Sequence, residues 1–483
     1  MKVLLVNPKA KFTMEILTSP LGLISIATYL NANGHTARIY DSGSSKEGLC
    51  DVIREFEPDI VGVSVISGKA VDDAVAISNT AKSAGITVVW GGYLPSAMPD
   101  LVLKNACVDM VAIGEGEYTL LEVLGTMEAG QTLETVAGLA FMKNGELVKT
   151  PGRDFVDLAS LPMLDFSLID IERYIYPYYF SKRTFSLYSS KGCTGHCTFC
   201  YNASFNKSRH RVRPPEQVVR EMAYLTEKYG VDSFSLNDDL IFCNKEEMYR
   251  FCSLLQDADL RVSWGSSCVI GLFGKDDLRY MYQTGCRWLM FGVESGSREI
   301  LSCIRKNLTT DEVERTCDDC AEIGIVARAG IIIGFPGETE KDLKETAELA
   351  MRLKTSQVSV NYYTVVPASA SYKQLLLDGT ISPPQNLEAF IEKYSFDKLN
   401  NLSCVPDRDL KVIYSYFIIK RHSGKRTDPS GQANSWTKIT ADSLLRILRT
   451  ATLSGVFAYF SRFVSIFFHY FCFRGIKKKY GLR

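Results

Sequence analysis

Short apolar runs alternate with longer amphipathic stretches over the first 130 residues or so. The runs predict strands at residues 2–7, 36–41, 59–65, 87–90 and 109–113. The stretches between them predict helices at residues 21–33, 46–56, 71–84 and 117–128. This alternation is typical of a parallel, doubly wound α/β sheet, in which ligands bind at the carboxyl ends of the strands.

The same alternation returns with a longer spacing from about Phe185. Strands are predicted at residues 185–190, 233–237, 261–266, 288–293, 327–333 and 358–365. Helices are predicted to start near Pro215, Asn244, Lys275, Ser297, Thr310 and Glu338. Two starts carry capping chemistry, because Asn244 and Thr309 each precede a glutamate by three residues. Six β/α units in a row predict a partial (β/α)6 barrel with its chemistry at the carboxyl ends of the strands.

The remaining segments complete a division into four parts. Residues 138–150 predict a hairpin with Asn144 and Gly145 at its turn, and a proline-rich linker follows. We therefore assign residues 1–135 to a Rossmann-like domain, 136–182 to the hairpin and linker, 183–370 to the partial barrel, and 371–483 to a mainly helical C-terminal extension.

The C-terminal extension ends in an aromatic-rich tail. Residues 456–473 read VFAYFSRFVSIFFHYFCF, and the run Lys477, Lys478 and Lys479 follows. A spanning helix needs about 20 apolar residues, and Arg462 and His469 interrupt this one. The pattern predicts an amphipathic segment that packs on the protein or contacts a membrane surface peripherally, and a core-docking helix is an equal alternative.

Charge and cysteine content narrow the class of protein. Lys and Arg number 55, as do Asp and Glu, so the balance indicates no nucleic-acid partner. The chain has 14 cysteines but is too long and too rich in regular elements to need a disulfide framework. Its N-terminus has the pattern of a first strand and not of a signal peptide. A cytoplasmic location with reduced thiols is expected.

Three cysteines lie close together after the predicted strand at 185–190. The segment reads Cys193-Thr-Gly-His-Cys197-Thr-Phe-Cys200, so the three thiolates converge only if the loop curls around a centre. Zinc sites usually draw four ligands from two separated pairs, and no second pair lies nearby. Cubane iron–sulfur clusters commonly take four cysteines, so a trio leaves one iron open to a small molecule. The alternatives are three unliganded buried cysteines, or a zinc site completed by His196 or His210.

The C-x3-C-x2-C spacing, with Phe199 before the last cysteine, resembles the signature of the radical S-adenosylmethionine (SAM) family. The resemblance implies a 4Fe-4S cluster on Cys193, Cys197 and Cys200 that binds SAM and cleaves it reductively to a 5′-deoxyadenosyl radical. Glycine-rich and acidic strand ends that resemble the family's SAM pocket follow in order. The implied SAM contacts are Phe199, Asp239, Gly292, Glu294, Ser295, Gly334 and Pro336.

The N-terminal domain resembles the cobalamin-binding domain found ahead of many radical SAM domains. The implied cobalamin contacts at its strand ends are Ser64, Ile66, Gly91, Gly92, Gly114 and Glu115. Many cobalamin domains place a histidine in a D-x-H-x-x-G loop after the first strand. Here that loop begins Asn7-Pro8-Lys9-Ala10, so no protein histidine is expected to ligate cobalt. The alternative is a Rossmann domain that has lost its cofactor.

The resemblance implies cobalamin-dependent methylation of an unactivated carbon in a small-molecule or lipid-like substrate. Flavodoxin or ferredoxin is the expected electron donor. Radical cyclisation or oxidative rearrangement is the alternative within the family, and an iron–sulfur electron-transfer or regulatory protein is the alternative outside it. Other cysteines are expected to be mostly buried apolar residues, with a second cluster as the alternative; they are Cys243, Cys252, Cys268, Cys286, Cys303, Cys317 and Cys320.

Overall fold

The computed structural model of the chain describes residues 1–9, 18–66, 68–179, 181–355, 357–394, 399–423, 468 and 474–482. The described residues form two seven-stranded sheets and one two-stranded ribbon. The predicted aromatic tail at 456–473 lies outside these residues, apart from Phe468. No helix among the described residues is long and apolar enough to cross a bilayer.

The first sheet has the strand order β2-β1-β3-β4-β5-β6-β7, and its first five strands are parallel. Its elements are β1 (Lys2–Asn7), α1 (Leu21–Ala32), β2 (Thr36–Asp41), α2 (Leu49–Phe56), β3 (Ile60–Ser64), α3 (Val71–Ser83), β4 (Thr87–Gly91), α4 (Tyr93–Ala97), α5 (Pro99–Val102), β5 (Met110–Ala112), α6 (Gly116–Glu128), β6 (Leu139–Lys143) and β7 (Glu146–Lys149). The predicted doubly wound domain is confirmed. The predicted hairpin is also confirmed, and it extends this sheet because β6 pairs antiparallel with β5.

The second sheet has the order β16-β15-β14-β13-β12-β9-β8, with β9 and β12 to β16 parallel in chain order, as in a partial barrel. Its elements are β8 (Tyr176–Tyr178), β9 (Ser181–Leu187), β10 (Ser190–Lys191), α7 (Asn202–Phe205), β11 (Arg211–Val212), α8 (Pro215–Tyr229), β12 (Ser233–Leu236), α9 (Lys245–Asp257), β13 (Ser263–Cys268), α10 (Lys275–Gln283), β14 (Cys286–Glu294), α11 (Arg298–Cys303), α12 (Thr310–Ile323), β15 (Val326–Ile333), α13 (Glu340–Arg352) and β16 (Gln357–Tyr362).

The predicted six β/α units are confirmed, and so is the capping chemistry. The Asn244 side chain accepts from the backbone N–H of Glu247 at 2.9 Å, and Thr309 forms a reciprocal capping box with Glu312. The strand β8 was not predicted. It pairs antiparallel with β9 at the edge of the sheet, a position that tolerates Pro177 because an edge strand leaves one row of N–H groups unpaired.

In the described part of the chain, four further helices follow the barrel: α14 (Ala370–Leu377), α15 (Leu387–Tyr394), α16 (Asp407–Ser423) and α17 (Arg474–Lys479). The last helix docks on α16, because Lys479 and Tyr480 both donate to Asp409, at 3.1 and 3.0 Å. Tyr480 and Leu482 are buried in the core of the barrel domain. Helical structure in the C-terminal extension is confirmed for these described segments.

A buried ion-pair group joins the loop after β5 of the first sheet to the β10–β11 ribbon. Arg211 donates to both carboxylate oxygens of Glu115 at 2.9 Å, and Lys191 lies 3.1 Å from the same carboxylate. Burial raises the pKa of Glu115, but Lys191 and Arg211 outweigh it and hold that pKa below its ordinary value. The stabilisation is therefore complete at neutral pH and is lost as the pH falls through the lowered pKa.

Glu115→Gln is expected to lower the free energy of unfolding by about 2–4 kcal/mol, because it leaves two partly buried cations without their shared anion. Urea denaturation at pH 7 measures the change. Glu134→Gln is the matched control, since Glu134 pairs with Lys143 on the exposed hairpin at 2.7 Å. That control is expected to leave the free energy of unfolding close to the wild-type value, because an exposed ion pair contributes little. Equal effects of the two substitutions would contradict the stabilising role of Glu115.

Candidate active site

The cysteine loop between β9 and α7 curls back on itself. Gly192 has φ +84°, and a Cβ there would lie 2.1 Å from the carbonyl oxygen of Arg209, so the position requires glycine. The backbone N–H of Gly195 points at the Cys193 sulfur at 3.3 Å, and that of Asn202 points at the Cys200 sulfur at 3.5 Å. N–H groups aimed at sulfur are a common feature of iron–sulfur sites.

The described residues do not gather the three cysteines into a single-ion site. A tetrahedral zinc ion with Zn–S bonds of about 2.3 Å holds its sulfurs about 3.8 Å apart. Among the described residues, no group of three possible ligands within 4.8 Å of one another includes any of the three cysteines. His210 lies instead beside Cys243 and Glu247, with one ligand atom of each residue within 4.8 Å of the other two. The described residues therefore do not bring His210 to the cysteine trio.

Burial keeps the free thiols protonated. It raises the pKa of Cys193 and Cys197, and raises that of Cys200 to about 11. Because metals bind the thiolate, cluster assembly must displace these protons.

Side chains on neighbouring elements brace the loop. Asn202 accepts from the backbone N–H of Cys193 at 3.1 Å and donates to its carbonyl at 2.6 Å. Asp239 follows β12 and accepts from the backbone N–H of Gly192 at 3.2 Å and from the Tyr201 hydroxyl. Asp239 therefore lies beside the loop, as the sequence suggested, and its contacts there are with the loop itself.

Glu294 ends β14 at the same edge of the sheet. It adopts φ +66°, next to an irregularity in the pairing of β14 with β15, and strained backbone of this kind concentrates at functional sites. Its carboxylate accepts from Lys306 at 3.1 Å. A Cβ on Gly292 would lie 2.3 Å from the Glu294 carboxylate, so glycine leaves the space that this ion pair occupies.

The other predicted SAM contacts divide into two groups. Gly334 directly follows β15 with φ +86°, and Pro336 lies two residues on. Phe199 meets Phe335 edge-on at 5.7 Å between ring centroids. These residues lie at the same sheet edge as the cysteine loop. Ser295 differs, because its buried hydroxyl bonds that of Thr346 at 2.9 Å, so only its backbone borders Glu294.

The carboxyl edge of the N-terminal sheet packs directly on the cysteine loop. Tyr93 follows Gly92 and contacts the rings of Tyr201 and Phe205, with centroids 5.2 and 5.9 Å apart. Tyr201 is the residue after Cys200. The Tyr93 hydroxyl also donates to the carbonyl of Pro367, beyond β16. The two predicted cofactor regions therefore meet in one place.

The predicted cobalamin contacts lie around this edge of the sheet, and they differ in the groups that each of them contacts. Gly92 has φ +98°, and a Cβ there would lie 2.8 Å from the carbonyl of Val65. Ser64 and Gly91 end neighbouring strands, and the Ile66 side chain is 68% exposed. Gly114 donates to the Ser96 hydroxyl at 2.9 Å. Glu115 is engaged by Arg211 and Lys191 as described above.

The loop after β1 supplies no histidine in its described part, Asn7 to Lys9. His35 lies 3.3 Å from the chain's amino group, at the opposite edge of the sheet. No histidine from this edge is therefore available below a bound corrin among the residues that the structure describes.

Comparison with known families decides the assignment. Residues 187–350 match the radical SAM superfamily, and residues 12–124 match the B12 binding domain. Together the two matches cover more than half of the chain. The chain belongs to the radical SAM superfamily and carries an N-terminal B12 binding domain.

Relatives of this radical SAM enzyme include methyltransferases and cyclases. An uncharacterized methyltransferase from Pyrococcus horikoshii is 26% identical over 87% of this chain and 97% of its own length. The anaerobic magnesium-protoporphyrin IX monomethyl ester cyclase of Rubrivivax gelatinosus is 28% identical over 78% of this chain and 68% of its own. The solved structure of TsrM from Kitasatospora setae, a radical SAM methyltransferase with cobalamin and a 4Fe-4S cluster bound, has a TM-score of 0.66 at 19% identity and covers 79% of each chain. This last likeness confirms the predicted fold.

Sequence analysis missed Lys306, which lies in the active site of this radical SAM enzyme. Lys306 follows α11, and its charge interacts with Glu294, Cys197 and Cys193. Burial opposes its charge, but the nearby Glu294 carboxylate outweighs burial and raises the pKa of Lys306 above the ordinary value. No motif marks Lys306, because it reaches the site only through the fold of the segment after α11.

Glu294→Gln is expected to raise the KM for SAM by about 10- to 100-fold, because hydrogen bonds to charged groups contribute about 1.5–3 kcal/mol. The substitution removes the carboxylate that is predicted to accept hydrogen bonds from SAM, and it leaves Lys306 without its ion-pair partner. The KM is measured from the rate of 5′-deoxyadenosine formation at a series of SAM concentrations. Glu299→Gln is the control, since Glu299 is exposed on the adjacent helix α11. A KM equal to that of the control would contradict the role of Glu294.

Proposed function

We propose that this radical SAM enzyme uses cobalamin to methylate an unactivated carbon of a small-molecule substrate. The observation that carries the proposal is the packing of Tyr93, at the carboxyl edge of the B12 binding domain, on Tyr201 beside Cys200. A methyl carrier held at this edge lies next to the site where a radical is generated. An electron carrier without SAM chemistry has no need of this second domain.

The residues have distinct roles in the proposal. Cys193, Cys197 and Cys200 hold the cluster, and Lys306 offsets the negative charge that accumulates there. Glu294, Gly334 and Pro336 line the SAM pocket, and Phe199 packs behind it. Asp239 and Asn202 fix the loop. When bound, the cluster supplies the electron that cleaves SAM, and cobalamin carries the methyl group.

The carboxyl edge of the N-terminal sheet fits a flat cofactor whose cobalt takes no histidine ligand from this edge. Gly92 keeps the backbone of β3 and β4 close together, and the exposed Ile66 gives an apolar surface at the strand end. Both features fit the planar, largely apolar face of a corrin. Ser64, Gly91 and Gly114 border the same space, while Glu115 holds the barrel domain against it.

The test uses full-length protein purified anaerobically from cells supplied with cobalamin. SAM carrying a trideuterated methyl group is added with a strong reductant, and the extracted cobalamin and nucleosides are analysed by mass spectrometry. Methyl transfer predicts label on cobalamin together with 5′-deoxyadenosine. Formation of 5′-deoxyadenosine with unlabelled cobalamin would overturn methyl transfer and favour cyclisation or rearrangement. Formation of neither would favour an electron-transfer or regulatory protein.

The cyclase relative in Rubrivivax gelatinosus makes radical cyclisation or oxidative rearrangement the second candidate. We further propose a small flavodoxin or ferredoxin as electron donor and a reducing cytoplasmic compartment. All thirteen cysteines in the described part of the chain are free thiols, which supports that compartment. A lipid-like substrate or peripheral membrane contact through residues 456–473 stays a prediction. Equal binding to liposomes of the full chain and a chain ending near Leu444 would contradict it.

A further inference from the structure

A second group of metal-binding side chains lies outside the cysteine loop. One ligand atom each from His210, Cys243 and Glu247 lies within 4.8 Å of the other two. His210 precedes β11, Cys243 follows β12, and Glu247 is in the first turn of α9. The fold thus brings together three different donor types from segments that are more than 30 residues apart in sequence.

The His210 ring is held in the form that binds metals. Its side chain is 2% exposed, and its Nε2 lies 2.8 Å from the carbonyl of Leu240. Because a carbonyl only accepts, Nε2 carries the proton and donates it. Nδ1 then presents a bare lone pair, which is the usual state of a metal-ligating histidine whose other nitrogen bonds a carbonyl.

That lone pair has no hydrogen-bond partner among the described residues. His210 Nδ1 lies 3.8 Å from Oε2 of Glu247, which is too far for a hydrogen bond. Both atoms are acceptors in this state, so neither can donate to the other. The other Glu247 oxygen accepts from the Cys243 thiol at 3.1 Å. Two acceptors and a thiol that face one another are an arrangement that a cation stabilises.

We propose that His210 Nδ1, Cys243 Sγ and the Glu247 carboxylate bind one divalent transition-metal ion, best matched by Zn²⁺. Mixed nitrogen, sulfur and oxygen donors suit zinc, whereas magnesium and calcium prefer oxygen alone. Binding forms one bond from the metal to each residue and releases the Cys243 thiol proton to solvent. The Asn244 side chain, which lies 3.2 Å from Glu247 and 3.4 Å from the Cys243 sulfur, supports both ligands.

The proposed metal has a structural consequence. The metal ties the segment that follows the cysteine loop to the start of α9. It is therefore a clamp beside the active site, and it does not depend on methyl transfer.

The test is metal analysis of the full-length, cluster-loaded protein after equilibration with Zn²⁺ and dialysis. We expect about one zinc per chain, with zinc K-edge absorption showing one sulfur at about 2.3 Å and nitrogen or oxygen ligands at about 2.0–2.2 Å. Cys243→Ser and His210→Gln are each expected to lower bound zinc at least about tenfold and to leave iron content unchanged. Cys50→Ser, which alters an exposed thiol on α2, is the matched control and is expected to retain zinc.

Three results would overturn the proposal. One is wild-type protein that retains no zinc after dialysis, which would make the group a hydrogen-bonded cluster without a metal. Another is zinc retained by Cys243→Ser. The third is an absorption spectrum showing three sulfurs, which would place zinc in the cysteine loop. Cys243→Ser preserves a donor to Glu247, so circular dichroism of this variant separates loss of zinc from loss of folding.

Discussion

Cys197→Ala is expected to abolish 5′-deoxyadenosine formation from SAM. Cys197 is the middle member of the trio, and with two thiolates left the loop cannot hold a cubane whose remaining iron is open to SAM. Iron content is expected to fall to a small fraction of the wild-type value. The measurement is iron per chain, together with 5′-deoxyadenosine quantified by chromatography after anaerobic reconstitution.

Cys50→Ala provides the control for Cys197→Ala, because Cys50 is an exposed cysteine in the N-terminal domain. Its iron content and SAM cleavage are expected to match the wild type. Cobalamin content should be retained in both variants, since Cys197 lies in the other domain. SAM cleavage by Cys197→Ala at a rate near the wild type would contradict the assignment of the cluster.

Gly92→Ala is expected to weaken cobalamin binding by roughly 10- to 100-fold. The new Cβ would lie 2.8 Å from the carbonyl oxygen of Val65 and 3.2 Å from its nitrogen, and backbone atoms do not yield as a flexible side chain does. The ends of β3 and β4 must therefore move, at a cost of about 1–3 kcal/mol. Cobalt per chain and a cobalamin titration followed by absorbance measure the loss.

The matched control for Gly92→Ala is Gly85→Ala. Gly85 has φ +75°, so alanine is strained there as well, but a Cβ at Gly85 meets no atom within 4 Å. The control therefore has the backbone strain without the displacement of Val65, and its cobalamin affinity is expected to stay near the wild type. Iron content should be unchanged in both. Equal losses of cobalamin in the two variants would show that general destabilisation, and not the strand-end geometry, is responsible.

Most elements and the cluster ligands could be predicted from the sequence because their signals are local. Strand β1 and β2 have the predicted bounds, and the others differ by a few residues at their ends. The edge strand β8 was missed because a segment of three residues containing Pro177 has no periodicity to detect. Among the seven scattered cysteines predicted to be mostly buried, Cys243 is partly buried and Cys303 is exposed; the buried ones are Cys252, Cys268, Cys286, Cys317 and Cys320.

Site residues could be predicted where a motif specifies the backbone conformation. They could not be predicted where the direction of a side chain decides whether the residue faces the site. Gly92, predicted from its place at a strand end, has positive φ and leaves no room for a Cβ beside Val65. Ser295 follows Glu294 in the same motif, yet its hydroxyl turns into the core toward Thr346. Lys306 has no motif and reaches Glu294 through the turn after α11.

The sequence by itself determined the order of the β/α units, the cysteine trio and the family. The reason is that the hydrophobic periodicity and the spacing of the ligands are both properties of short segments. Tertiary structure alone decided which distant residues meet. Tyr93 packs on Tyr201, Glu115 binds Arg211, and His210 faces Glu247 because the two sheets turn their carboxyl edges toward each other and the barrel brings successive strand ends together. Those contacts depend on sheet curvature and domain docking, which no local pattern encodes.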